Sequence, residues 1–209
     1  MHPVVQTLNG YLRKVPVWPG YVLGFVPAAW LLWLGIDGHL GADPVKTLEH
    51  ELGKIALQLL LVSLLVTPLL QLTRINLIRF RRLIGLLAFY YVLMHFAVYL
   101  LLDLQLNWPE LVKDITKRPY IMVGTAAMLL LVPLALTSND LSVRRLGAAA
   151  WQRVHKLVYP AAILAAVHYV WLVKAWPLEP LLYLAGMVAL VAWRPFYRRR
   201  KARRRQAGA

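Results

Sequence analysis

The chain consists largely of apolar runs that are about as long as a lipid bilayer is thick. A helix needs roughly 20 consecutive apolar residues to cross the hydrocarbon core. Six runs reach or approach that length, and they cover residues 17–36, 52–72, 83–102, 120–137, 154–173 and the shorter 180–193. Because the bilayer core holds no water for open backbone groups, such runs fold as helices. The sequence therefore predicts an all-α integral membrane protein, a bundle of six transmembrane helices.

The composition favours one membrane domain over a soluble fold. Hydrophobic residues make up 60% of the 209 residues, and the mean hydropathy is +0.57. A chain of this length suits one compact domain. We therefore expect a single transmembrane domain over 1–209, with a core at about 17–194 and a basic cytoplasmic tail at 195–209. The short connections favour an up-and-down helix order. The two longest, 37–51 and 103–119, are each expected to carry a short interfacial helix.

Charge divides the connections into two groups. Eighteen of the 24 lysines and arginines fall on one side: Arg13, Lys14, Arg74, Arg79, Arg81, Arg82, Arg144, Arg145, Arg153, Lys156, Arg194 and seven residues from Arg198 to Arg205. Eight of the nine acidic residues fall on the other: Asp37, Asp43, Glu49, Glu51, Asp103, Glu110, Asp114 and Glu179. Basic residues collect on the cytoplasmic side, so both termini are expected there. The net charge of +15 then reflects topology, which disfavours a nucleic-acid partner, and the tail is expected to bind anionic lipids.

His95 and His168 are the only histidine or charged side chains deep inside the predicted spans. His95 follows Arg82 by 13 residues and His168 follows Arg153 by 15, so each lies roughly 20 Å from the cytoplasmic boundary. The third and fifth spans run in the same direction, so the two imidazoles can face each other. Such a pair binds haem iron at both axial positions. The alternative is a pair of buried, hydrogen-bonded residues that join helices, but matched depth favours haem.

A third histidine, His155, lies near the cytoplasmic boundary. It precedes His168 by 13 residues, or about 20 Å and 220° on an ideal helix. Pro160 between them predicts a kink or local unwinding that turns both side chains inward. At the depth of His155 the third span carries Arg81 rather than a histidine. The sequence therefore leaves open whether the protein binds one haem or two. Arg81 and Arg82 are interpreted as topogenic charges, or as partners of haem propionates or a flavin phosphate.

Other residues carry no predicted site. His2, His39 and His50 lie at the terminus or in outer loops, and no ligand role is assigned to them. The glycines in the spans, Gly53, Gly85, Gly124 and Gly186, are interpreted as helix-packing residues. The chain has no cysteine, which excludes disulfides, thiolate-bound haem and iron–sulfur clusters. No glycine-rich nucleotide motif follows a strand, so reducing equivalents must come from a partner or a membrane quinol.

Several segments resemble one known family. They are GHLGADPV at 38–45, RRLIGL at 81–86 leading to His95, KRPY at 117–120, LTS at 136–138, and the stretch from His155 to His168 and Tyr169. Together they are similar to the MsrQ family, formerly YedZ, the haem-binding membrane subunits of bacterial methionine sulfoxide reductase systems. That family lies in the ferric-reductase-like transmembrane superfamily. The resemblance runs from about residue 38 to residue 193.

The resemblance implies a fold, a function and a set of cofactors. It implies a ferric-reductase-like bundle in the bacterial inner membrane that binds haem b, with FMN also associated. Its haem ligands correspond to His95, His155 and His168 here. Electrons pass from a cytoplasmic flavin reductase or membrane quinone to MsrP, a periplasmic molybdopterin enzyme that reduces methionine sulfoxide in oxidised proteins. The sulfoxide chemistry belongs to that partner, so no catalytic residue is expected in this electron-transfer subunit. Arg81 departs from the wider superfamily, which carries four histidines in two pairs.

Two other functions are considered. One is a different ferric-reductase-like oxidoreductase that delivers electrons to iron or oxygen. The other is a haem-free transporter or assembly scaffold. Transport is disfavoured because no Asp, Glu, Lys or Arg lies at mid-membrane to carry ions or protons.

Overall fold

The computed structural model describes residues 3–173, 175 and 177–206, and all regular elements in this part are helical. The α-helices are α1 (Pro3–Lys14), α2 (Trp18–Ile36), α3 (Pro44–Thr73), α4 (Arg81–Val98), α5 (Trp108–Lys117), α6 (Pro119–Leu136), α7 (Asp140–His155), α8 (Val158–Leu172) and α9 (Leu178–Gln206). A 3₁₀ turn at Ile78–Phe80 precedes α4, and a π-helical turn at Tyr99–Asp103 follows it. The predicted all-α class is confirmed.

Five segments of the described chain are long and apolar enough to cross a membrane: Trp18–Ile36, Pro44–Thr73, Ile78–Asp103, Pro119–Leu136 and Leu178–Tyr197. The remaining predicted span, 154–173, corresponds mainly to α8, which has 15 residues. At 1.5 Å per residue α8 is about 22 Å long, which is less than the roughly 30 Å of the hydrocarbon core. The count of six spans therefore stays a prediction.

The connection at 37–51 does not carry a separate interfacial helix, so that prediction is wrong. Asp43 caps α3 by accepting a hydrogen bond from the backbone N–H of Lys46 at 3.1 Å, and Pro44 occupies the first helical position. Thus α3 begins eight residues before the predicted span. The connection at 103–119 does carry the predicted short helix, α5, capped by Asn107.

The helices around the centre pack as two pairs. Helix α4 packs mainly against α3, and α8 packs mainly against α6, while α9 covers α8 and α3. Ala161, Ala162 and Ala166 on α8 are fully buried. Small side chains allow helices in a membrane to approach closely without a hydrophobic driving force. Between the two pairs lies the cavity that forms the candidate site.

Helix α2 is joined to α4 by one buried side chain. The hydroxyl of Tyr91 donates to the carbonyl of Gly24 at 2.7 Å and accepts from the N–H of Ala28 at 3.2 Å. Gly24 and Ala28 are four residues apart, so these two backbone groups are partners in a regular helical ladder. The Tyr91 hydroxyl bridges them and thereby ties α2 to α4.

The basic connections meet at one end of the bundle. Asn9 on α1 donates to the carbonyl of Arg74 at 3.0 Å, and Arg82 forms an ion pair with Asp140 at 2.8 Å. At the same end Trp193 on α9 donates to Gln71 at 2.8 Å. The predicted grouping of these segments on one side agrees with the contacts, whereas the membrane side that they face stays a prediction.

The chain is interrupted between His155 and His168. Helix α7 ends at His155, residues 156 and 157 form a turn, and α8 begins at Val158. Pro160 is then the third residue of α8, a position in the first turn where the missing N–H breaks no helical hydrogen bond. The local unwinding predicted near Pro160 is present, at residues 156 and 157; of the two side chains predicted to turn inward, His168 lines the cavity and His155 does not.

Candidate functional site

His95 on α4 and His168 on α8 lie beside each other, at the end of the bundle where α3 and α6 begin. Their ring centroids are 6.3 Å apart, and their planes meet at 75°. Two imidazoles that bind one metal ion from opposite sides have centroids about 6 Å apart, because each metal–nitrogen bond is about 2 Å and each nitrogen lies about 1 Å from its ring centre. The two rings therefore have the spacing of axial ligands.

Backbone carbonyls fix the orientation of both rings. Nδ1 of His95 lies 2.8 Å from the carbonyl oxygen of Glu49, and Nδ1 of His168 lies 2.7 Å from that of Tyr120. A carbonyl oxygen only accepts hydrogen bonds, so in each neutral ring Nδ1 carries the proton and donates it. The lone pair of each Nε2 is then available to a metal. Such a hydrogen bond to the second ring nitrogen is usual for histidines that bind metals.

Glycines create the space in which the two rings lie. A β-carbon at Gly53 would come within 3.0 Å of Nδ1 of His95, and one at Gly124 within 2.7 Å of Nδ1 of His168. Each glycine lies four residues after the carbonyl that accepts from the ring. The same arrangement therefore occurs on α3 with α4 and on α6 with α8. Of the four glycines interpreted as packing residues, these two pack against the histidines.

A cavity of about 650 Å³ lies between the two helix pairs and includes both rings. Its charged end is lined by Lys46, Glu49, His50, Asp103, Asp114 and Arg118. Its apolar end, deeper in the bundle, is lined by Leu57, Leu60, Ala127, Met128, Leu131 and Ala165. Cofactor and ligand sites commonly enclose about 300 to 1,000 Å³. The cavity suits an apolar ligand with polar groups along one edge.

His155 lies apart from this cavity, in a cluster formed by α6 and α7. Its Nε2 is 3.1 Å from the hydroxyl of Thr137, and its ring stacks on Trp151 with centroids 3.8 Å apart. The Thr137 hydroxyl donates to the carbonyl of Pro133 at 2.6 Å, so it accepts from His155. In this tautomer Nδ1 of His155 has the free lone pair. Arg81 is close enough to act electrostatically on His155.

The sequence interpretation missed His50. It was placed in an outer loop, but it lies on α3 and lines the cavity. His95 and His168 line the same cavity. The cap formed by Asp43 and Pro44 was the signal that would have placed it, because a helix beginning there carries His50 one turn before Gly53.

Comparison with known proteins relates the chain to two groups. The family described as "Ferric reductase like transmembrane component" matches residues 52–166, which include His95 and His155 and end two residues before His168. Relatives named "Protein-methionine-sulfoxide reductase heme-binding subunit MsrQ" occur in Brucella ovis, Brucella canis and Brucella suis. Each is 52% identical over 195 residues, covering 92% of this chain and 88% of the relative. No solved structure matches the chain.

The membrane helices, the matched region and the relatives agree with one another. The chain is identical to those relatives at half of the aligned positions along nearly its whole length. The matched region begins within α3 and ends within α8, so it includes all of α4 and α6 and most of the two helices that they pack against. The chain is therefore a membrane protein that belongs to the MsrQ family, within the ferric-reductase-like transmembrane proteins.

Proposed function

We propose that this protein is a b-type cytochrome of the bacterial inner membrane that passes electrons to a periplasmic methionine sulfoxide reductase of the MsrP type. The relatives are named as haem-binding subunits of such a reductase, which supports a membrane subunit with a separate catalytic partner. The observation that carries the proposal is the pair formed by His95 and His168, whose rings are 6.3 Å apart with both Nδ1 atoms hydrogen-bonded to carbonyls.

The residues of the cavity fit a haem. The spacing of the two rings would allow both to hold the iron of a haem, and each Nε2 would keep its lone pair for that role. Gly53 and Gly124 leave room where larger side chains would displace the rings. The apolar end suits the hydrophobic macrocycle, and the charged end suits the two carboxylates that haem carries on one edge. A ligand without charged groups would contact the apolar end and leave the charged end of the cavity without a partner.

This chain contributes ligands, orientation and a water-poor environment. His95 and His168 would hold the iron, and the carbonyls of Glu49 and Tyr120 would fix the ring tautomers. When bound, haem supplies reversible one-electron transfer, and the chemistry belongs to the cofactor. Axial ligands, hydrogen bonds to them and the low-polarity surroundings set its reduction potential. The sulfoxide chemistry is assigned to the partner.

A second haem near the basic end of the bundle is part of the proposal. His155 would be its histidine ligand, with Nδ1 as the free nitrogen. Arg81 occupies the position at which a second histidine would complete the pair, so the second ligand is not a histidine. In the proposed topology of six spans with cytoplasmic termini, electrons enter here from a membrane quinol or a cytoplasmic flavin reductase, with FMN as the associated flavin.

Absorption spectroscopy of the purified protein tests the haem assignment. We expect the reduced wild-type protein to show a low-spin, bis-histidine haem spectrum that is lost in His95→Ala and in His168→Ala. His155→Ala should remove only a second, distinct haem signal. His39→Ala is the control, because His39 is exposed and paired with Asp37. A colourless wild-type protein, or low-spin haem retained in both of the first two variants, would exclude the assignment.

Partner and donor require separate measurements. We expect a periplasmic molybdoenzyme to copurify with the protein and to reoxidise its reduced haem. Reoxidation by ferric iron or oxygen, but not by the molybdoenzyme, would indicate a different ferric-reductase-like oxidoreductase. Reduction of the haem by a quinol or by a flavin reductase with FMN identifies the donor.

A further inference from the structure

Asp114 is a buried carboxylate at the charged end of the cavity. Its side chain is 3% exposed. One oxygen, Oδ2, accepts from the hydroxyl of Tyr99 at 2.6 Å, and the other, Oδ1, lies 3.0 Å from Nε of Arg118. Burying a carboxylate is unfavourable unless it is paired and hydrogen-bonded. Asp114 meets that condition, and as a result it holds the Arg118 side chain in one position.

Arg118 has N–H groups on its two terminal nitrogens that can donate hydrogen bonds to a second carboxylate. Nε faces Asp114, and the two terminal amino groups belong to a half-exposed side chain that lines the cavity. Partial burial opposes the charge of Arg118, but the Asp114 carboxylate and a hydrogen bond to the Tyr120 side chain together raise the pKa of the guanidinium above its usual value. A planar guanidinium binds a carboxylate through two parallel hydrogen bonds.

Three basic residues of α3 also line the cavity, and one of them, Lys54, is paired with Glu51 at 3.1 Å and Glu179 at 3.5 Å. Lys46 and His50 are one helical turn apart and line the charged end. They precede Gly53 by seven and three residues, which places them about 10 and 5 Å outward from the level of His95. Arg118 precedes Gly124 by six residues, or about 9 Å outward from the level of His168. His50 forms no hydrogen bond or ion pair with any other residue of the described chain.

We propose that Arg118, together with His50 and Lys46, binds the two carboxylates of the haem at the charged end of the cavity, with Asp114 and Tyr99 positioning Arg118. This inference rests on the proposed function. The apolar end offers no partner for a carboxylate, and a charge left there without one would be strongly unfavourable. Glu49 and Asp103 line the same charged end and would repel the haem carboxylates. The haem carboxylates therefore need direct hydrogen bonds from Arg118, His50 and Lys46. The haem is thus bound in one orientation.

The test uses haem-loaded protein in detergent, with the variants Arg118→Gln, His50→Gln, Lys46→Gln and Asp114→Asn. Three quantities are measured: the rate of haem transfer to excess apomyoglobin, the midpoint potential, and the carboxylate bands in the redox-difference infrared spectrum. Lys113→Gln is the matched control, since it removes one positive charge from α5 at an exposed residue paired with Glu110. Arg118→Lys keeps the charge and loses the planar fork.

We expect Arg118→Gln to release haem roughly tenfold faster, the loss of one charge-assisted hydrogen bond. Its midpoint potential should fall, because removing a nearby cation favours the more positive oxidised iron. The low-spin spectrum should persist, since His95 and His168 are untouched. Asp114→Asn and Arg118→Lys should speed haem release by smaller factors. The midpoint potential should stay near the wild-type value in Arg118→Lys, which keeps the charge, and should rise in Asp114→Asn, which removes a nearby anion. The carboxylate bands should shift in Arg118→Gln but not in Lys113→Gln.

The spectrum of the wild-type protein and the behaviour of the variants distinguish this inference from the proposed function. If the wild-type spectrum is low-spin and Arg118→Gln, His50→Gln and Lys46→Gln all keep the wild-type haem release and potential, the carboxylate assignment is overturned and the assignment of His95 and His168 stands. A wild-type protein without low-spin haem would overturn both. If Arg118→Gln does not fold, His50→Gln decides the inference, because His50 is exposed and makes no hydrogen bond whose loss would unfold the protein.

Discussion

Gly124 lies directly against the imidazole of His168, so that a β-carbon at this position would come within 2.7 Å of Nδ1. The same nitrogen donates to the carbonyl of Tyr120 at 2.7 Å. The neighbour is a ring held by a hydrogen bond rather than the end of a flexible chain. A single added methyl group must therefore break that hydrogen bond or separate α6 from α8.

Gly124→Ala should disturb the haem ligand without touching it chemically. We expect lower haem content and a changed low-spin electron paramagnetic resonance signal, because His168 rotates away from its position. Gly53→Ala should have a smaller effect, since the clearance to His95 is 3.0 Å. Gly85→Ala is the control, because Gly85 lies within α4 and a methyl group added there would meet nothing within 4 Å. Normal haem content in Gly124→Ala would contradict this prediction.

Tyr91→Phe should lower stability without altering the haem spectrum. The substitution removes the hydroxyl that bridges the Gly24 carbonyl and the Ala28 N–H inside the bundle. Losing the hydrogen bonds that tie α2 to α4 should lower stability by about 0.5 to 1.5 kcal/mol. Thermal unfolding in detergent measures the loss. Tyr90→Phe, at a neighbouring exposed tyrosine, should leave the transition unchanged; equal melting of the two variants would count against the role of the Tyr91 hydroxyl.

Thr137→Val should change only the second haem signal. Valine keeps the shape of threonine but cannot accept from Nε2 of His155, so the ring loses the contact that sets its tautomer. Reduced-minus-oxidised spectra should show a shift in the signal that His155→Ala removes and no change in the signal of His95 and His168. Ser138→Ala is the control, because Ser138 donates to Leu134 instead. A change confined to the other signal would be inconsistent with this cluster.

Deletion of residues 198–209 should weaken lipid binding and leave haem content unchanged. The deleted segment carries seven basic residues, each worth about 1 kcal/mol near an anionic membrane surface. Flotation with vesicles of anionic and of neutral lipid measures the difference. Deletion of 206–209, which removes no charge, is the control; its residues 207–209 lie outside the described part of the chain. Haem loss on deleting the tail would reveal a structural role instead.

The sequence predicted the depth of the candidate ligands well. Counting residues from Arg82 and Arg153 placed His95 and His168 at one level, and the structure has them 6.3 Å apart. The count works because a helix in a membrane rises by a fixed distance per residue. The interruption near Pro160 was also predictable, since proline cannot continue a regular helix from the preceding turn.

The sequence placed other parts of the site wrongly or not at all. Charged residues near position 50 resemble a loop in a hydropathy pattern, so the early start of α3 and the place of His50 were missed. The cluster of Tyr99, Asp114 and Arg118 joins a π-helical turn to α5 and the start of α6, and no spacing rule connects such elements. Their contacts depend on how the helices are rotated about their axes.

The sequence by itself determined that this protein is a helical membrane bundle with two histidines at matching depth, because apolar length and helical rise are local properties of the chain. Only the tertiary structure decided which carbonyl each histidine meets, that Gly53 and Gly124 provide the space for the rings, and that Arg118 is held by Asp114. These features depend on helix rotation and on the pairing of α3 with α4 and α6 with α8. That pairing is set by packing between segments distant in sequence, which no local pattern encodes.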